Sequence, residues 1–191
     1  MTRKLFLVML FFAFSLHGAS LSQQIKSSLI PYENFPEQGI IFRDISPVIE
    51  NSELFSEIID NFYERYKTKE IDAVVALEAR GFIFGSVLAY KLKVPLVMVR
   101  KEGKLPGEIY RVSYKKLYGE GAFILRKDAL KAGQQVIIID DFYSTGGSLE
   151  AAVKLVQTAG TTVYEACFLI NNTKASNKKI FPFPIYTLTE L

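Results

Sequence analysis

The 191-residue chain has one cysteine, one histidine and no tryptophan. With Cys167 alone, an intrachain disulfide framework and a cysteine-cluster zinc site are both excluded. The lone His17 stands in an N-terminal stretch that reads as removable, so histidine catalysis and histidine-rich metal sites go with it. Charge of one sign is also scarce. The 23 basic and 20 acidic residues give +3, and Arg3 and Lys4 of that same stretch supply two of the positive charges. A protein that binds nucleic acid by neutralising phosphates shows a basic excess or stripe, and neither is present, so no nucleic-acid partner is expected. Disorder is excluded by composition, with 49% hydrophobic and 23% charged residues. The chemistry left to the chain must use carboxylates, lysine and arginine, hydroxyls and backbone amides.

Residues 1–20 run from Thr2-Arg3-Lys4 through an apolar stretch, Leu5 to Leu16, to His17-Gly18-Ala19-Ser20. Charged, apolar and small residues in that order resemble a secretory signal, with cleavage expected after Ala19 or Ser20. The apolar stretch is shorter than the roughly 20 residues that cross a bilayer, so no stable membrane span is expected. Residues 21–191 show no repeat, linker or low-complexity stretch and read as a single domain.

Within it, Ser52 is placed to cap a helix carrying Leu54, Ile58, Phe62 and Tyr66 at every fourth position. Ile71–Leu77, Val94–Val99, Val136–Ile139 and Val163–Ile170 are short apolar runs, and helical patterns separate them at Phe82–Leu92 and Ser148–Thr158. Such runs predict parallel strands covered on both faces. The expected fold is α/β: an open, mainly parallel twisted sheet with helices on both faces. Gly103 to Gly121 is expected to be a long mobile loop over the site, with room for a hairpin. Ligands of open α/β sheets bind at the carboxyl ends of strands, so the residues after Leu77, Val99 and Ile139 are the places to look.

The segment after Ile139 carries the most chemistry. Asp140 and Asp141 are delivered to a strand end, and Ser144-Thr145-Gly146-Gly147-Ser148 then opens a helix. Two glycines let successive amides converge on one anion, and the helix N-terminus adds partial positive charge. That arrangement suits a terminal phosphate, leaving the acids for sugar hydroxyls. A Walker loop is a poor match because no lysine follows the glycines, and the three spaced glycines of a dinucleotide fingerprint are absent.

Asp140 to Ser148 resembles the phosphoribosyl diphosphate (PRPP) signature of the type I phosphoribosyltransferases, and other segments narrow the likeness to the adenine phosphoribosyltransferases. Phe35-Pro36 and Gly39 to Pro47 resemble that family's base-recognition segment, Glu78 to Phe82 its diphosphate loop, and Arg100-Lys101 through Gly107 the start of its mobile loop. The resemblance implies transfer of the 5-phosphoribosyl group from PRPP to adenine, giving AMP and diphosphate in purine salvage, with Mg²⁺ as cofactor. It implies that Ser144, Thr145, Gly146, Gly147 and Ser148 grip the 5-phosphate. Asp140 and Asp141 would hold the ribose hydroxyls near the reacting carbon and meet the metal through water. Glu78, Ala79, Arg80, Gly81, Arg100, Lys101 and Lys104 would face the diphosphate, although Arg80 has the competing reading of a pair with Glu78 or a surface acid. Ile41, Phe42 and Arg43 would meet the purine edge, and Phe42 or Phe142 would stack on its ring. A homodimer is also implied.

Ser113 to Gly119 resembles the family's catalytic loop, with Tyr118 in place but Leu117 where many relatives carry glutamate. Leucine accepts no proton, so either diphosphate departure governs the rate or Glu108 or Glu120 substitutes. On this reading Leu117→Glu raises turnover with adenine and Glu108→Ala leaves it nearly unchanged. Two alternatives stay open: a transferase for another purine, and a PRPP-binding sensor without turnover. An enzyme using PRPP is expected in the cytoplasm, whereas residues 1–20 read alone point to export or the periplasm. Cys167 and Tyr143 are expected to be core packing.

Overall fold

The computed structural model describes residues 19–115 and 120–191. The expected signal-like stretch and the Leu117–Tyr118 pair therefore fall outside the described residues, save for Ala19 and Ser20. Ser20 caps the first helix, α1 (Leu21–Ser28), in a reciprocal box with Gln23. Strands β1 (Ile30–Glu33) and β2 (Ile41–Asp44) follow as an antiparallel hairpin apart from the main sheet. Next come α2 (Ser46–Glu50) and α3 (Ser52–Tyr66). Asn51 rather than Ser52 caps α3, its side-chain oxygen accepting from the Leu54 amide at 3.1 Å.

The chain then alternates through β3 (Ala73–Leu77), α4 (Gly81–Leu92) and β4 (Leu96–Lys101). It continues through β5 (Ile109–Lys115), β6 (Glu120–Arg126), β7 (Gln135–Tyr143), α5 (Gly147–Thr158), β8 (Thr162–Asn171) and β9 (Ile185–Glu190). The main sheet has the order β5-β6-β4-β3-β7-β8-β9. Neighbours from β4 through β9 in that order are parallel, and β6 is antiparallel to both β4 and β5.

Burial explains why the central runs are apolar without interruption. Along β3 and β7, Val74, Ala76, Ile137 and Ile139 face a core shared with Ile58, Phe62, Phe84 and Leu88 of α3 and α4. The alternate residues Val75, Leu77, Val136 and Ile138 face a second core under α5, with Leu149, Ala152, Leu155 and Val156. Helices thus cover both faces, as the sequence pattern predicts. Much of the expected mobile loop is regular instead. The β5–β6 hairpin pairs Ile109 with Arg126 through to Lys115 with Glu120, and Tyr110, Val112 and Tyr114 pack onto the α5 core. Glycines and charges around this stretch obscure a two-residue alternation that drives it into the sheet.

Two glycines set how closely α4 approaches β3 and β7. A Cβ on Gly81 would lie 2.7 Å from the Ile139 carbonyl oxygen, and one on Gly85 2.7 Å from the Ala76 methyl. Any side chain there would push the helix off the sheet. Among the described residues, no helix is long and apolar enough to cross a membrane.

Candidate active site

At the carboxyl end of β7 lies a cavity of about 400 Å³. It is lined by Asp140, Phe142 and the turn Ser144 to Ser148, together with Glu78, Lys101, Tyr114 and Phe123. β7 runs straight into the turn, and Gly146 adopts φ +87°, a left-handed conformation that glycine takes without strain. α5 begins at Gly147 with no side-chain cap. From Ser144 to Leu149, no backbone amide donates a hydrogen bond to any of the described residues. The first helix residues have no acceptor in their own helix, so this run of donors is left for a ligand.

The two acids diverge as adjacent strand residues must. Asp140 is half-buried and lines the cavity, and its Oδ1 accepts from the Asp141 amide at 2.9 Å. Asp141 is 4% exposed. Arg80 Nη2 approaches its Oδ2 to 2.9 Å, but at an angle too poor for a hydrogen bond, so Oδ2 is buried with no hydrogen-bond donor among the described residues. Burial raises the pKa of both carboxyls. At Asp140 the neighbouring Asp141 charge adds to that rise, whereas at Asp141 the Arg80 guanidinium opposes it.

Arg80 therefore takes neither partner that sequence reading suggested. Besides Asp141 it reaches the hairpin, donating to the Arg43 carbonyl at 3.3 Å and lying 5.1 Å from the centre of the Phe42 ring. Glu78 is taken by Arg100 instead, through Nε at 2.9 Å, and also accepts from the Lys101 amide at 2.9 Å. Burial pushes the Glu78 carboxyl up, but the Lys101 amide and the Arg100 charge outweigh it and hold its pKa below the usual value. Arg100 is thus spent largely on Glu78, leaving Lys101 as the cation of this loop that lines the cavity. Ala79 and Lys104 are exposed and do not line it, while Gly81 is buried where α4 starts. Ile41, Phe42 and Arg43 sit on β2 outside the cavity wall, and Ile41 is 50% exposed. Among the described residues, Arg80 joins that hairpin to the acids.

Glu108, a suggested substitute base, is not at the cavity. It pairs with Lys127 at 3.5 Å around a separate depression with Pro106 and Asp128. The side chain of Glu120 lies outside the described residues. Cys167 is buried, and burial pushes its thiol up to about 12, as befits a packing residue. Tyr143 is buried against Phe168, though its edge also reaches the cavity. Tyr114 was missed by sequence reading. It packs on Phe123 with ring centres 4.6 Å apart, and burial together with the Asp140 charge raises its hydroxyl pKa. The alternation Tyr110-Val112-Tyr114 was the available signal.

Comparison with known proteins gives one answer. The phosphoribosyl transferase domain family matches residues 47–186. The adenine phosphoribosyltransferase of Pasteurella multocida is 48% identical over 147 residues, covering 77% of this chain and 82% of that protein. Adenine phosphoribosyltransferase 1 of Saccharomyces cerevisiae is 41% identical over 174 residues, covering 89% and 93%. The crystal structure of the Rhodothermus marinus adenine phosphoribosyltransferase superposes with a TM-score of 0.83 at 38% identity, covering 90% of this chain and 98% of that one. A yeast structure holding adenine and an imino-altritol bisphosphate matches with a TM-score of 0.81 at 40% identity, covering 88% and 98%. With a cavity built on Asp140 and a glycine-hydroxyl turn, in this sheet and at these identities, the chain belongs to the phosphoribosyltransferase family and to its adenine phosphoribosyltransferase branch.

Proposed function

We propose that residues 21–191 form a catalytic domain that transfers the 5-phosphoribosyl group of PRPP to a ring nitrogen of adenine, giving AMP and diphosphate. The observation that carries this reading is the run of amides from Ser144 to Leu149, unpaired among the described residues, in a cavity that Asp140 lines with the buried Asp141 next to it in the chain. A 5-phosphate accepts hydrogen bonds from those amides and from the Ser144, Thr145 and Ser148 hydroxyls, and the α5 N-terminus favours its charge. The sugar ring then lies against Asp140 and Asp141.

In the reaction the C1–O bond to diphosphate breaks, the C1–N bond to the base forms, and the base nitrogen gives up its proton to the departing diphosphate or to solvent. The sugar carbon gains positive charge on the way. Two carboxylates fixed beneath the ring favour that charge without having to reorganise. Lys101 and the Ala79, Arg80 and Gly81 amides would take up the charge of the departing diphosphate, the Glu78 amide being bonded to the Val99 carbonyl at 3.0 Å. Arg80, held between Asp141 and the Arg43 carbonyl, ties the sugar side to the hairpin that would carry the base. Phe42 on that hairpin and Phe142 in the cavity wall are the aromatic faces available for stacking. Tyr118 joins the mechanism by resemblance alone.

The residues present fit Mg²⁺. Asp141 Oδ2 is a buried oxygen lacking a hydrogen-bond donor, and no group of three or more acidic, histidine or cysteine side chains converges among the described residues. A hard cation that keeps its waters needs only such a partial set, with substrate oxygens and water supplying the rest. Asp140 and Asp141 would hold it through water, and when bound it neutralises diphosphate charge. A homodimer belongs to the same reading, supported by Leu96 and Met98, which stand 37% and 42% exposed on β4. The use of PRPP supports work in the cytoplasm.

The test is direct. Purified protein is mixed with Mg²⁺, PRPP and each purine base in turn, and nucleotide is separated and identified. AMP from adenine is the expected product. PRPP binding with no nucleotide would favour the sensor, and product only with another purine would move the base assignment.

A further inference from the structure

The phosphate turn rests on a second stretch of chain far away in sequence. Asn172 to Phe181 runs behind Tyr143 to Gly146 and holds it at several points. The Asn172 amide donates to the Tyr143 carbonyl at 2.8 Å, and the Lys179 amide donates to the Thr145 carbonyl at 3.1 Å. The Tyr143 hydroxyl donates to the Lys179 carbonyl at 3.2 Å. Asn172 Nδ2 donates to Ser144 Oγ at 3.3 Å. Phe181 packs so near Gly146 that an added Cβ there would lie 3.2 Å from its ring.

Direction is what these bonds control. In a trans peptide the carbonyl and the following N–H point opposite ways. Holding the Tyr143 and Thr145 carbonyls from behind therefore turns the Ser144 and Gly146 amides forward, toward the cavity. The Asn172–Ser144 bond does the same for a side chain. With its oxygen accepting from behind, the Ser144 hydroxyl keeps its own proton free to donate forward.

We infer that Asn172 is a positioning residue for the 5-phosphate, acting through the Ser144 hydroxyl, and that residues 172–181 form the support that aims the phosphate turn. This rests on the reading that Ser144 to Ser148 bind that phosphate, and the experiment separates the two. Calorimetric titrations with AMP and with adenine are run on wild type, Asn172→Ala, Ser144→Ala and the double variant, with steady-state kinetics alongside.

The expected result is an AMP affinity about three- to tenfold weaker for Asn172→Ala, the size of one hydrogen bond. KM for PRPP should rise by a similar factor, while adenine affinity and kcat stay within about twofold. In the Ser144→Ala background, Asn172→Ala should cost nothing further, because the two act as a pair. Tyr143→Phe, which keeps the ring and loses only the bond to Lys179, should shift AMP affinity the same way by less. If Ser144→Ala weakens AMP binding and Asn172→Ala does not, the inference fails and the phosphate reading stands. If Ser144→Ala has no effect on AMP, the phosphate reading itself fails, and the inference falls with it. Equal losses toward AMP and adenine, or full additivity with Ser144→Ala, would reduce Asn172 to general structural support and overturn its positioning role.

Discussion

Two carboxylates lie buried on adjacent strands of one sheet, Asp141 on β7 and Glu165 on β8, and they are treated in opposite ways. Glu165, 2% exposed, accepts from Arg65 through Nε and Nη2, each at 2.6 Å, and from the Tyr66 hydroxyl at 2.8 Å. Arg65 is itself stacked 3.9 Å from the centre of the Tyr186 ring. Asp141 has one oxygen without a donor and a cation at a poor angle. Glu165 is near the amino end of its strand and Asp141 at the carboxyl end of its own, beside the cavity. A buried charge that is fully bonded contributes to a single folded arrangement, whereas one left short of bonds costs stability and is available to a ligand. The difference separates scaffold from site.

Breaking each carboxylate should therefore give opposite outcomes. Asp141→Asn should lower kcat about 100-fold or more, the scale of losing a fixed charge at a reacting centre. Its urea midpoint at neutral pH should equal or exceed that of wild type, because the charge removed was buried short of bonds. A variant with near-normal turnover would remove Asp141 from the chemistry. Glu165→Gln should leave kcat per folded molecule nearly intact and cost about 1–3 kcal/mol in urea unfolding, a figure discounted because Arg65 is partly exposed. Loss of activity at unchanged stability would reverse the contrast.

Acidity sharpens it further. Burial raises the Asp140 carboxyl above its ordinary 3.8 in the folded protein. The folded state then holds its proton to higher pH than the unfolded chain does. Stability from this group is full below about pH 4 and is lost as pH rises through the folded value. Asp140→Asn, which has no proton to lose, should match wild type near pH 4 and become progressively more stable above it, as read by denaturation at a series of pH values. A constant difference across that range would contradict the burial argument. The smallest effect is expected at Glu108→Ala, where turnover with adenine should change by less than about twofold. A collapse there would bring a residue from the separate depression into the reaction.

The central sheet and the glycine-hydroxyl turn were legible in the sequence for local reasons. Unbroken apolar runs report strands covered on both faces, and the passage from strand through turn to helix is written in nine consecutive residues. Other features depend on distant contacts and left no local signal. Nothing near Arg80 in the chain says that Asp141 rather than Glu78 will face it, and nothing near Ser144 points to Asn172. The β5–β6 hairpin is an intermediate case. Its alternation was present, but flanking glycines and charges argued more loudly for a loop. Asn51 displaced Ser52 as the α3 cap because the helix begins one residue earlier than the serine suggested.

The missing side chain at Gly81 has a mechanical consequence. With α4 pressed against the last residues of β7, the Glu78–Gly81 turn and the Asp140–Asp141 pair form a single stiff floor. The spacing between that turn and the acids is set when the chain folds, before any ligand arrives.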